Sequence, residues 1–528
     1  MQITYLGHAG FCVETKSSII IMDPWLSEHG AFDSAWFQYP NNHHMAAYVQ
    51  SVVETSKKDK YIYISHEHKD HFDINFLNTL KNRDFTVILA NFFHPIVKEA
   101  LTNYNCKNIV LLNNQEEFIL KDASIILFTI DAELECDSAI LVKSAGQSFL
   151  NLNDCKLHEE LKSIVIKHGK IDVFTAQFSG AIWHPTCYTY SEEEYEKISK
   201  NKQKIKFELT ARAIEVVKPT LYIPSAGPPC FLDPMLMHIN FEKINIFPRA
   251  TQLIEYLNYR CKHLNTVWPE VMPGDVFDVD VSKFIQLSSS RVNDNDFFSY
   301  VTSYANHYKK FFETRENNNY KINAHKVFLE LRSDLEKKIS NLKLVNKNIT
   351  TPLYWRITEV KEEIYKIDFK EKELTIVHNI ADYNNYYMIE SPAWQVKKVL
   401  HKEINWPDFA LTFRVKLTRV PDKYNTLIHG FLTLDAESIG RFCEMMQKCY
   451  DRNERMVIEY DGKRYSVLRY CRHQGGDLSQ GWIENGCLVC PRHRWQYDLR
   501  NKGKCIYNDE SIDAICLDQD ISDKNETN

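Results

Sequence analysis

Short apolar runs, each closed by turn residues, open the chain. Ile3 to Leu6, Phe11 to Glu14 and Ile19 to Met22 are divided by Gly7, Gly10 and the Lys16-Ser17-Ser18 turn, which predicts a β-meander. Asp23-Pro24-Trp25-Leu26 ends the third run, and a polar, lysine-rich helix follows. Tyr61-Ile62-Tyr63-Ile64-Ser65 is continuously apolar up to its last residue and reads as a buried strand. Ile125 to Ile130, Ser148 to Asn153, Ile171 to Ala176 and Pro219 to Pro224 read as further strands. A helix rich in Lys and Glu separates the last two, so the class is α/β.

Beyond residue 280 the pattern changes. The stretch to about 345 is rich in Asn and Lys and predicts surface helices, and residues 353–390 alternate in the manner of antiparallel strands. Aromatic and aliphatic positions continue from Trp394 to Leu432, which argues for a packed module instead of a linker. A polar segment, Asp451-Arg452-Asn453-Glu454-Arg455, precedes two strands, Met456 to Tyr460 and Tyr465 to Tyr470. The expected boundaries are therefore 1–280, 281–450 and 451–528, in keeping with several domains for 528 residues.

Composition narrows the class little. The chain is 44% hydrophobic and 25% charged, with a formal net charge of −6, so neither nucleic acid nor an anionic membrane is an expected partner. No run of about 18 apolar residues and no basic-then-apolar leader is visible. Fourteen Cys without such a leader point to a reducing, cytoplasmic setting, with thiols free or metal-bound.

Two stretches carry chemistry. The strand ending at Ser65 runs into His66-Glu67-His68-Lys69-Asp70-His71, where His66, His68, Asp70 and His71 can surround one or two metal ions. Near the other end stand Cys471-Arg472-His473 and Cys490-Pro491-Arg492-His493, sixteen residues apart. Two thiolates and two imidazoles suit a Rieske [2Fe–2S] cluster, with Cys471 and Cys490 on one iron and His473 and His493 on the other. A zinc site is the alternative for this tetrad, but Gly475-Gly476 and Trp495-Gln496-Tyr497-Asp498 favour the cluster. A one-electron cofactor needs a consumer. Zinc at the His66 site would suit hydrolysis and could not use the electron, whereas iron could, with O₂ as co-substrate.

The hexad matches His-x-His-x-Asp-His and so resembles the metallo-β-lactamase superfamily, which implies an αββα sandwich. Within that resemblance Asp154 corresponds to a bridging carboxylate and Glu133 stands where a His is usual. His184, Asp233 and His238 compete for the last corner. Gln2 to Ala9, Asp23 to Leu26, Tyr61 to Asp70, Asn153-Asp154-Cys155, Phe178-Ser179-Gly180, Pro224 to Gly227 and Pro273-Gly274-Asp275 are similar to the CMP-N-acetylneuraminate hydroxylases. That family implies one or two non-haem irons, a Rieske cluster, O₂, a small nucleotide-sugar-like substrate and an external reductase or carrier. Its Rieske domain is N-terminal, the reverse of the order here. Respiratory Rieske proteins carry an extra Cys in each cluster loop, where this chain has Gly476 and Arg492. The expectation is an iron-dependent oxygenase, with a superfamily hydrolase carrying a regulatory Rieske domain as the alternative. Electron transfer over distance favours a homo-oligomer in which a neighbour supplies the cluster if the same chain does not.

Overall fold

The computed structural model describes every residue except 104, 105, 107, 133, 134, 290, 344–349 and 519–528. In chain order the first fourteen strands are β1 (Gln2–Gly7), β2 (Gly10–Glu14), β3 (Ser18–Met22), β4 (Asp59–Ile64), β5 (Thr86–Ala90), β6 (Ile109–Leu112) and β7 (Glu117–Ile119). They continue with β8 (Ser124–Ala132), β9 (Glu135–Ser144), β10 (Gln147–Asn151), β11 (Val173–Gln177), β12 (Leu221–Ser225), β13 (Val276–Asp278) and β14 (Lys283–Gln286). They form an eight-stranded sheet, β14-β13-β1-β2-β3-β4-β5-β6, and a six-stranded sheet, β12-β11-β10-β9-β8-β7.

Side-chain alternation explains why these strands read as unbroken apolar runs. Ile20, Met22 and Tyr63 share one core with Leu127, Ile140 and Phe149 of the other sheet. Ile19, Ile21, Ile62 and Ile64 point the opposite way, into a second core. That core includes Met45, Val49 and Val53 of helix His44–Thr55. On the far side Ile126, Phe128 and Leu150 pack with Phe207, Ala211 and Ile214 of helix Glu192–Val217. Both faces of both sheets are thus buried, which removes the polar alternation of a half-exposed sheet. The result is the expected αββα sandwich. Helix Glu192–Val217 starts at a capping box, with Ser191 and Glu194 each satisfying the other's backbone N–H.

The chain divides into two units. The first comprises residues 1–157, 161–327 and 391–416, and the second 158–160, 328–390 and 417–528. The stretch expected as a middle module, 281–450, contributes to both. In the second unit Leu353–Ile357, Ile364–Asp368 and Glu373–Val377 are consecutive antiparallel strands of a five-stranded sheet. Toward the C-terminus two small sheets, of three and four strands, enclose a core of Val467, Leu488, Tyr497 and Ile512. No helix among the described residues is long and apolar enough to cross a membrane.

Candidate metal centre and cluster loops

The sandwich gathers ligands at one end because of strand direction. β3 and β4 run parallel, so Asp23, just after β3, lies beside the loop after β4. β1 and β2 are antiparallel, which brings the turn between them, with His8 at φ +52°, to the same end. β9 and β10 are also antiparallel, so the start of β9, with Asp137, meets the end of β10, beyond which lies Asp154.

His71 is the hub. Its Nδ1 is 2.8 Å from Asp23 Oδ2, while Asp23 Oδ1 and Oδ2 accept from the Ser65 backbone N–H (2.8 Å) and hydroxyl (2.6 Å). A carboxylate on one imidazole nitrogen fixes the ring so that the other nitrogen can meet a metal. That other nitrogen, Nε2, lies 3.6 Å from Asp154 Oδ1 and 3.9 Å from Asp70 Oδ2. Two overlapping sets of ligand atoms result, His8/Asp70/His71 and His66/His71/Asp154. His66 Nδ1 lies 3.3 Å from Asp137 Oδ1, and its Nε2 is 2.8 Å from His68 Nδ1.

The site suits a cation. His71 Nε2, Asp70 Oδ1 and Asp154 Oδ1 are buried and have no hydrogen-bond partner among the described residues. Each such atom costs about 1–3 kcal/mol, and more where the group is charged. The field points the same way. Burial pushes His71 down, but Asp70, Asp154 and Asp23 outweigh it and raise its pKa to about 10. Burial likewise opposes charge on His66, and Asp137 more than offsets it, giving about 9. Burial and the neighbouring His66 lower His68 to about 4. Burial would raise Asp70, yet His71 and His8 hold its carboxyl below the usual range. Burial raises Asp137 to about 6 against the pull of His66. A pocket that favours positive charge on His66 and His71 is one that a metal cation would suit.

The remaining candidates fall elsewhere. Asp233 is not with the cluster. Its Oδ2 accepts from Arg414 Nε at 2.8 Å and from Arg315, so its lone pairs serve two guanidiniums. His184 Nε2 meets Tyr190 Oη at 2.8 Å, and its ring packs edge-on against Tyr188. His238 is exposed in a short 3₁₀ turn. Glu133 lies outside the described residues. The sequence reading assigned no role to His8, Asp23 or Asp137. A signal existed for His8, an imidazole in a Gly-His-Ala-Gly turn at a strand end.

In the second unit the cluster loops are built alike. Gly475 N donates to Cys471 O and Arg494 N to Cys490 O, each at 2.9 Å, so each loop closes on its own cysteine. Cys471 and Cys490 are 2% and 1% exposed, whereas His493 is half-buried, which places the thiols inside and an imidazole outward. The rings of His473 and His493 lie 4.9 Å apart, and His473 stacks on Trp495 at 4.2 Å. The loops leave room for little else. A Cβ on Gly476 would sit 2.9 Å from Cys490 Sγ. Tyr497 Oη lies 3.1 Å from Cys471 Sγ and accepts the Arg472 N–H, which leaves its own hydrogen for the sulfur.

The profile of the Rieske [2Fe-2S] domain matches residues 443–514, and that of a β-lactamase superfamily domain matches residues 2–200. The chain joins these two domains, with the Rieske match toward the C-terminus. A protein of Mycolicibacterium smegmatis described as a Rieske 2Fe-2S iron-sulfur protein is 28% identical over 96% of this chain and 98% of its own length. The cytidine monophosphate-N-acetylneuraminic acid hydroxylase of Asterias rubens is 23% identical over 82% of this chain and 65% of that protein. Among solved structures, CmlA, a diiron β-hydroxylase from Streptomyces venezuelae, has a TM-score of 0.34 at 14% identity, covering 51% of this chain and 52% of that one. The Rieske domain carries the [2Fe–2S] cluster, and Cys471, His473, Cys490 and His493 are the candidates to hold it.

Proposed function

We propose that this chain is a non-haem iron oxygenase. It takes electrons from an external reductase or carrier through the Rieske cluster and uses O₂ to hydroxylate or oxidise a small polar substrate. One observation carries the reading: a chain with a one-electron cofactor domain also holds a buried, cation-demanding set of imidazoles and carboxylates around His71 Nε2. The mixed nitrogen and oxygen donors suit iron, and hydroxylases among the relatives support the same class. A nucleotide-sugar-like compound is the substrate class those relatives suggest.

Iron held there would supply a redox centre for O₂ chemistry. The protein's own residues do the rest. His66, His71, Asp70 and Asp154 supply ligand atoms, with His8 beside Asp70 and His68 against His66. Asp23 and Asp137 orient the two central imidazoles through their Nδ1 atoms. Burial of the set excludes bulk water, which strengthens every one of these interactions.

Metal analysis with oxygen electrode measurements tests the reading. At least three irons per chain, with O₂ consumed on chemical reduction, is the expected result. Stoichiometric zinc in the sandwich and no O₂ uptake would replace it with a hydrolase carrying a regulatory Rieske domain. His68→Ala should abolish turnover while leaving the cluster's visible spectrum intact.

A further inference from the structure

Arg492, in one cluster loop, pairs with Glu159 outside both loops and also reaches the other loop. A Cβ placed on Gly476 lies 3.5 Å from the Cβ of Arg492, one position in each loop. That separation is within the range of a disulfide, about 3.5–4.5 Å, but the same Cβ would lie 2.9 Å from Cys490 Sγ. Neither position is Cys. Arg492 instead donates from Nη2 and Nε to Glu159 Oε1, at 2.6 and 3.1 Å. Its Nη1 reaches the carbonyl of Gln474, in the other loop, at 3.4 Å. The Arg492 side chain is 20% exposed and that of Glu159 11%, so the pair is screened less than a surface one. Glu159 Oε2 is buried without a hydrogen-bond partner among the described residues, which leaves this carboxylate committed to Arg492. Glu159 belongs to 158–160, the three residues of that stretch that fall in the second unit.

We propose that Arg492 and Glu159 form an ionic clamp on the Rieske cluster and set the cluster's potential. Arg492 is a positioning residue in two respects. It ties its own loop, between Cys490 and His493, to Gln474. It also fixes a positive charge beside a group that gains one negative charge on reduction, and net charge near a cluster is one of the levers on its potential. Glu159 partly cancels that charge. The proposal rests on the [2Fe–2S] domain and not on the oxygenase reading.

The test is a redox titration of the full-length, cluster-loaded chain, followed by the EPR signal of the reduced cluster. Arg492→Gln should lower the midpoint potential, and Glu159→Gln should raise it. Arg492→Lys should stay near the parent. A shift of about threefold to tenfold in the reduction equilibrium is expected for each neutral variant, where tenfold is about 59 mV for one electron. Opposite signs are the decisive feature, because simple loosening of the loops would move both variants the same way. Shifts of one sign, or an unmoved potential in Glu159→Gln, overturn the proposal. If Arg492→Gln loses its cluster, Glu159→Gln and Arg492→Lys still decide the matter.

Discussion

The metal centre of the β-lactamase superfamily domain and the cluster loops of the Rieske domain solve one problem in opposite ways. Each must present imidazoles and anionic ligands from a buried, rigid setting. The Rieske domain does it locally, with two loops each closing on its own cysteine by one backbone hydrogen bond. The sandwich does it topologically. His8, Asp23, Asp137 and Asp154 come from distant segments and meet the 66–71 loop only because β1, β3, β4 and β10 end, and β2 and β9 begin, on the same side. A local site is vulnerable to a single atom in the loop. A topological one is vulnerable to the side chains that aim its ligands.

The largest expected effect follows from that difference. Gly476→Ala places a Cβ 2.9 Å from Cys490 Sγ, and a sulfur that holds iron cannot shift aside. The variant should purify without the Rieske visible spectrum while keeping the metal of the sandwich. Retention of a normal spectrum would show that the loop is less tightly set than its geometry says.

Arg414, outside both candidate ligand sets, gives the next effect. Arg414 is buried, its Nε on Asp233 and its Nη1 within 3.2 Å of Gln395 Oε1. Arg414→Leu removes one of the two guanidiniums on a buried carboxylate and leaves Arg315 in place, so the cost should fall below the about 3–5 kcal/mol of a fully broken buried pair. Chemical denaturation should register that loss, with sandwich metal content unchanged in the folded fraction. Loss of metal at full stability would instead return Asp233 to the ligand set.

How much could be read from sequence follows from the same contrast. The hexad and the two halves of the tetrad stand out in the sequence because their candidate ligand atoms lie within a few residues of one another, beside strand-like runs and glycines. The sandwich was visible because Ile19 to Met22 and Tyr61 to Ile64 are apolar at every position, as strands buried on both faces must be. His8, Asp23 and Asp137 are plain in the sequence as residues, but their roles depend on which strands are neighbours. Asp233 was misplaced for a related reason. Position along the chain suggested a metal corner, and only the fold brings up Arg414, 181 residues away, to claim the carboxylate. The Arg492–Glu159 pair spans 333 residues and left no local trace.

Asp23→Asn probes the aiming of ligands directly. The amide still occupies the space but loses the charge that favours His71 with its Nδ1 proton toward Asp23 and Nε2 toward the metal. Removal of such a partner typically costs 10–100-fold in metal affinity. Competition with a chelator should show that loss in the sandwich, with the cluster spectrum untouched.

The smallest effect separates the Rieske-side packing from the cluster itself. His429 packs against Tyr424, whose ring in turn meets His473 and Trp495. Burial, with Arg419 nearby, lowers the pKa of His429 to about 4. The folded value lies below the unfolded value of about 6.5, so the unfolded chain takes up the proton first as pH falls. Stability is complete above that unfolded value and is lost progressively as pH falls toward the folded one. Between pH 6.5 and 5.5 the loss should be about 1 kcal/mol. His429→Phe should flatten that part of the profile, measured by denaturation of the cluster-loaded chain. A slope identical to the parent's would mean that His429 accepts its proton in the folded state as readily as in the unfolded one. Its tight surroundings would then impose no charge penalty, and the acid sensitivity of this domain would belong to the cluster's own imidazoles.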